Sequence, residues 1–246
     1  MPGSVLKGAL ISFMASPGLG LPSLPNVIMF QINPESITHG WTEATAPQPP
    51  SDAKVKYSPL AVAGVPGESF SFTLMLDSDE QIADGATDPV GAGLATVSGI
   101  YTRLAALELL QFPANPPSSS LVGGVSAAAS AAGVGASAAD AQATTVPVGE
   151  VPVVLFVWGP MRIVPVRVTA LSVTEKLYDA LLNPTHAEAQ MTLTVLTPDE
   201  LKAIQSPMAG IANTAYSYTQ GLRAAQAAAN LAESASNILG MIPAAL

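Results

Sequence analysis

Cysteine is absent from the 246 residues, which removes disulfide staples, zinc–thiolate centres and cysteine nucleophiles. A chain without thiols fits a cytoplasmic origin. Basic residues number nine against eighteen acidic ones, for a formal charge of -9, so a phosphate backbone would repel the chain, and nucleic acid is not expected as a partner. The only two histidines, His39 and His186, lie beside loop sequences without metal-ligand spacing, so no metal site is expected. Long apolar runs are missing as well. The stretch from Gly8 to Ala15 after Lys7 is broken by Ser16-Pro17-Gly18, too soon to span a bilayer. It reads as a first strand, Val5 to Met14, ahead of a signal peptide.

Motifs of catalysis are equally scarce. No serine sits in a Gly-x-Ser-x-Gly elbow, and Asp77-Ser78-Asp79-Glu80 followed by Asp84-Gly85 lacks the acidic residue that closes a calcium loop. Gly91 and Gly93 have no Lys-Ser/Thr sequel for cradling phosphate. Aromatics make up only 5% of the chain. Trp41 and Trp158 with a carboxylate pair would serve a secreted carbohydrate-active β domain, the reading from a different functional class. No catalytic, cofactor-binding or metal-ligating residue is nominated, and no enzymatic activity is expected.

What the chain does have is strand patterning. From Glu68 to Asp77 the large residues Phe70, Phe72, Leu74 and Leu76 share one face while Ser69, Ser71, Thr73 and Met75 share the other. Burying those four contributes about 1.5–3 kcal/mol each before entropy is subtracted. Asn26 to Asn33 and Ile37 to Glu43 read as further extended segments, and Asp77 to Asp88 as an acidic loop. Val97 to Phe112 switches to helical spacing through Ile100, Leu104, Leu107 and Leu110, with Ser98 as N-cap and Pro113 as stop. Three apolar runs then follow closely: Val151 to Trp158, Met161 to Val173 and Ala187 to Leu196. Their short connections, Gly159-Pro160 and a stretch with Asn183-Pro184, predict consecutive antiparallel strands.

Between these halves lies a low-complexity segment at about 113–147, read as an insertion into one β domain spanning 1–204. Thr197-Pro198-Asp199-Glu200 opens a short helical turn, and an Ala-rich helical extension occupies 205–246. Its small-residue seam, Ile211, Ala215, Tyr218, Leu222 and onward, serves either a contact between subunits or packing on its own domain. Arg223 and Glu233 argue against a membrane span.

The order Phe30-Gln31-Ile32-Asn33-Pro34-Glu35-Ser36, then Phe70-Ser71-Phe72-Thr73-Leu74-Met75-Leu76-Asp77, a helix, then Leu155-Phe156-Val157-Trp158-Gly159 resembles the tube-adaptor family of contractile injection systems, the phage-tail-like particles. Val164 to Glu175 and Ala187 to Leu196 resemble that family's last two strands. The likeness covers about Val5 to Leu201 without the insertion. It implies a mainly β (α+β), tail-tube-like antiparallel bent sheet or barrel with one flanking helix. It also implies a homo-hexameric ring that stacks on the inner tube protein and adapts it to the baseplate hub or spike, or to the cap. Assembly in the bacterial cytoplasm is implied too, as part of a particle that acts there, at a membrane or after release. Many relatives add a LysM module, which the Ala-rich helix replaces here. The repeating inner-tube subunit is the neighbouring alternative. The negative net charge would make channel wall or ring faces poorly adhesive to acidic cargo.

Overall fold

The computed structural model describes residues 6–13, 25–44, 60–62, 64–83, 89–113, 151–204 and 208–241, and the side chains of 235–241 are not among what it describes. The expected insertion, apart from its first residue, Pro113, lies outside the described residues. Seven strands, β1 (Ala9–Phe13), β2 (Pro25–Met29), β3 (Ile37–Thr42), β4 (Gly67–Asp77), β5 (Val154–Val157), β6 (Ile163–Tyr178) and β7 (Pro184–Val195), form one sheet in the order β2-β1-β5-β6-β7-β4-β3. Every neighbouring pair is antiparallel. The class is α+β, mainly β.

Strands from both sides of residues 114–150 interleave: β1 pairs with β5, and β4 with β7. Alternation explains which face each strand offers. Phe70, Phe72, Leu74 and Leu76 of β4 are buried beside Leu193, Met191, Ala189 and Ala187, their register partners on β7. Onto this face packs α3 (Tyr101–Glu108) with its 3-10 extension Leu109–Gln111, through Ile100, Leu104, Leu107 and Leu110. The opposite face of β4, β7 and the far part of β6 carries Ser69, Ser71, Thr73, Thr194, Thr192, Gln190, Ser172 and Thr174 in register. The same face also carries Arg167, Met75, Glu188, Asp77, His186 and Lys176, so it combines hydroxyls with charges of both signs.

β5 differs because both its faces are covered. Val154 and Phe156 enter the main core, while Val153 and Leu155 join Leu196, Leu201, Met208 and Ala212 in a second cluster. A strand buried on both sides reads as a continuous apolar run, as Val151 to Trp158 does. The second cluster is roofed by two helices, α4 (Pro198–Ala203) and α5 (Met208–Met241). The α4 start is a capping box: Thr197 accepts from the Glu200 amide while the Glu200 carboxylate accepts from the Thr197 amide at 2.8 Å.

Several expectations are corrected. The acidic loop at Asp77–Asp88 begins as helix α1 (Ser78–Ala83), because the Asp77 carboxylate accepts from the Asp79 amide at 2.8 Å and Asp79 and Glu80 sit in the first turn. The single flanking helix is in fact three short ones. α2 (Pro89–Ser98) precedes α3, and Ser98 ends α2 rather than capping α3. The break falls at Gly99, whose φ of +57° and close approach to the Pro184 carbonyl leave no room for a Cβ. Ile100 donates to that same carbonyl at 3.0 Å. β6 also runs on to Tyr178, five residues past the expected end.

Candidate functional site

The first feature with functional meaning is an unfinished edge. β6 pairs with β7 nearly throughout, but on its other side β5 covers only Ile163 to Val166. From Arg167 to Tyr178 that side of the strand has no partner strand among the described residues. A long run of unpaired amides and carbonyls is a template for another strand, and soluble proteins normally blunt it. Here the bulge at Val168/Ala170, with the Thr169 hydroxyl donating to Thr192 O at 3.1 Å, and the positive φ of Leu177 interrupt it.

The β6–β7 connection forms the second feature. Leu177 and Leu182 adopt φ of 50° and 64°, a region that costs a branched side chain free energy unless the surroundings enforce it. Around Leu182 the enforcing group is Asp179. Its carboxylate accepts from the Leu181 amide at 2.8 Å, the Asn183 amide at 2.9 Å and Asn183 Nδ2 at 2.8 Å. These bonds, the Asn183 side chain first, hold the Asp179 pKa below the ordinary carboxylate value. Asn183 Nδ2 also donates to Val97 O at 3.3 Å, tying the tip to the end of α2. Leu181 and Leu182 are 79% and 75% exposed on this hydrogen-bonded loop, and Val90, Leu94 and Val97 form an outward apolar stripe on α2.

A pH response follows from Asp179. A carboxylate whose folded pKa is depressed stabilises the turn above its unfolded pKa, about 3.9, and that contribution is lost as pH falls through the lower folded value. The amide resonances of Leu181 and Asn183 should therefore titrate together below the usual aspartate range. Asp179→Asn should abolish that titration; its persistence would assign the turn to another group. Glu188, whose pKa is lowered by its hydrogen bond and ion pair with Lys176, responds in the same direction.

The third feature is ionic and lies under α5. Glu68 shares the face of Phe70 and Phe72, so its side chain is 3% exposed. Arg223 of α5 meets it with two donors, Nη1 to Oε2 at 2.9 Å and Nη2 to Oε1, while His39 Nε2 donates to Oε1 at 2.8 Å. His39 stacks on Phe70 with 4.4 Å between centroids, and the Arg223 guanidinium lies 4.9 Å from the Trp41 ring centre. Further along, Thr219 Oγ1 donates to Ile163 O at 2.7 Å and accepts from the Ile163 amide at 3.1 Å. Tyr218 adds a bond to Pro160 O at 3.0 Å. α5 is thus held by polar clamps as well as by Met208 and Ala212.

Beyond Arg223, residues 224–233 of α5 are exposed. The packed side runs through Met208, Ala212, Ala215, Thr219 and Arg223, so Ala215 of the expected seam does pack on its own domain, whereas Ile211 is largely exposed and Tyr218 reaches back only through its hydroxyl. Small apolar residues, Ala212 and Ala215, and polar anchors, Thr219 and Arg223, together select the packed face. His186 Nδ1 sits 3.3 Å from Asp77 Oδ2, far in sequence from the His39 pair and in a separate contact. Trp158 packs against Phe30 and Phe156 at 6.3 Å, and Trp41 is capped by Arg223, so both rings have intramolecular neighbours. A Cβ at Gly8 would meet Phe30 and Trp158 at 2.7 Å, which shows how closely the Trp158 corner is packed. Among the described residues no group of three or more His, Asp or Glu side chains is placed to hold a metal ion, and no single helix is long and apolar enough to cross a membrane.

The Glu68 centre escaped the sequence reading, although a signal existed. Glu68 falls on the apolar parity of its strand, and Arg223 is the one basic residue in the Ala-rich helix. No protein-family model matches this chain, and no curated protein matches it either.

Proposed function

We propose that the chain is a structural ring subunit of a contractile injection particle, stacking on the inner tube and adapting it to the baseplate hub or the cap. The observation that carries this reading is the open β6 edge from Arg167 to Tyr178. A closed ring is the symmetric way to complete such an edge, because each subunit's free strand is covered by its neighbour and none remains for aggregation. The polar face of β4, β6 and β7 supports the reading further: as a channel wall it would offer hydroxyls together with both basic (Arg167, Lys176) and acidic (Asp77, Glu188) side chains rather than a single sign of charge. The leucines of the β6–β7 tip would face the next ring in the stack.

Two measurements test the proposal. Negative-stain microscopy of the purified chain, or of particles containing it, should show rings of about 8–10 nm, the width expected of six small domains side by side. Proline placed in turn at Ser172, Val173 and Thr174 should abolish rings at the positions whose amides point outward and leave the monomer's melting temperature unchanged there. Rings that survive all three prolines would reject strand pairing through β6. A stable monomer under all conditions would reject the ring itself, and long polymers would favour the repeating tube subunit.

A further inference from the structure

Arg162 stands in the turn between β5 and β6, where its carbonyl accepts from the Trp158 amide at 2.8 Å and its guanidinium lies 5.2 Å from the centre of the Phe70 ring. Arg223 approaches the same place from α5. Between them opens a cleft of about 240 Å³ lined by Trp158, Met161, Arg162, Thr219, Arg223 and Gln226. The charges there do not balance. Arg223 directs its fork at Glu68, whereas Arg162 has no carboxylate within ion-pair distance among the described residues. Burial, and then the Arg223 charge, push the Arg162 pKa below its ordinary value, with Glu68 pulling weakly the other way. A protein with a net charge of -9 thus concentrates two of its nine basic residues around one carboxylate.

We propose that this cleft binds an oxyanion, with Arg162 as the principal ligand and Gln226 contributing from the helix. Guanidinium donors in a fixed fork match phosphate and carboxylate oxygens, and partial burial strengthens the contact. The volume limits the ligand's size. Pockets for whole small molecules run to about 300–1,000 Å³, so this one takes a single phosphate or carboxylate group. Such an anion would bridge the β5–β6 turn to α5 and relieve the repulsion between the two arginines. A carboxylate could come from an acidic side chain of another protein copy, a phosphate from solution. The site stands whether or not the chain forms rings.

Both tryptophans of the chain border these guanidiniums, Trp158 in the cleft wall and Trp41 against Arg223. Intrinsic fluorescence therefore reports occupancy. Titrating the full chain with inorganic phosphate, and separately with glutarate, at constant ionic strength should give a saturable change with at least one probe. Arg162→Gln should weaken it by about tenfold or more, and Arg162→Lys by less, because a point charge replaces the fork. The melting temperature of both variants without anion should match the parent. A response to phosphate alone assigns the site to phosphate groups, and a response to glutarate assigns it to carboxylates. A change that never saturates with either probe, or one equally strong in Arg162→Gln, would overturn the proposal.

Discussion

Arg223→Ala is expected to destabilise the folded chain by about 3–5 kcal/mol, the cost of stranding a buried carboxylate without its cation. The lower end applies, because His39 still reaches Glu68 Oε1 and the Arg223 side chain is itself 27% exposed. Glu68 cannot escape to water, since β4 fixes it on the face of Phe70 and β3 covers it with Trp41 as its register partner. Urea unfolding checks the magnitude, and hydrogen exchange along α5 checks the location. Amides from Thr219 onward should lose protection first, while those near Met208 and Ala212 keep theirs through the second apolar cluster. The double variant Glu68→Leu with Arg223→Met should recover most of the loss, since removing both partners leaves no orphaned charge. A loss under about 0.5 kcal/mol for Arg223→Ala would place the pair among exposed surface bridges.

Phe156→Ala should cost about 3–5 kcal/mol, the range for deleting a buried aromatic ring and leaving a cavity. Phe156 is fully buried and lies 5.3 Å from Phe70, 5.5 Å from Phe72 and 6.3 Å from Trp158, centroid to centroid. It therefore joins strands that are distant in sequence. Its loss should lower the melting temperature without changing the chain's mass in solution, because β5 pairs with β6 only from Ile163 to Val166 and no backbone group of the open edge is removed. Phe156→Leu should recover part of the difference by filling some of the space. If Phe156→Ala melts like the parent, the aromatic cluster is not the keystone of the core.

These two residues illustrate different legibility. Phe156 sits in an uninterrupted apolar run, and such a run announces burial before its neighbours are known. Likewise the alternation from Phe70 to Leu76 reveals both faces of β4, and the three runs between Val151 and Leu196 reveal the meander β5-β6-β7. Glu68 was legible only in part: its parity marks it as facing the core, but the partner lies 155 residues away. Helix α1 is not legible in its own acidic sequence because its anchoring comes from elsewhere. Gln81 is buried, donates to Gly91 O at 3.1 Å and accepts from Arg103 Nε at 3.1 Å. Six residues cannot sustain a helix on propensity alone, so tertiary contacts decide whether one forms.

By itself, then, the order of residues determined local geometry: where strands run, which of their faces is apolar, and that the Ala-rich tail is a helix. Periods of two and of three to four residues are set by backbone stereochemistry and need no partner to be recognised. Only the tertiary structure decided which strand lies beside which, how far β6 outruns β5, and which face of α5 is clamped. Those outcomes depend on pairing and charge neutralisation between residues far apart in the chain. The open edge of β6, the Glu68–Arg223 pair and the Arg162 cleft all arise there, because each depends on what one element leaves uncovered when another ends.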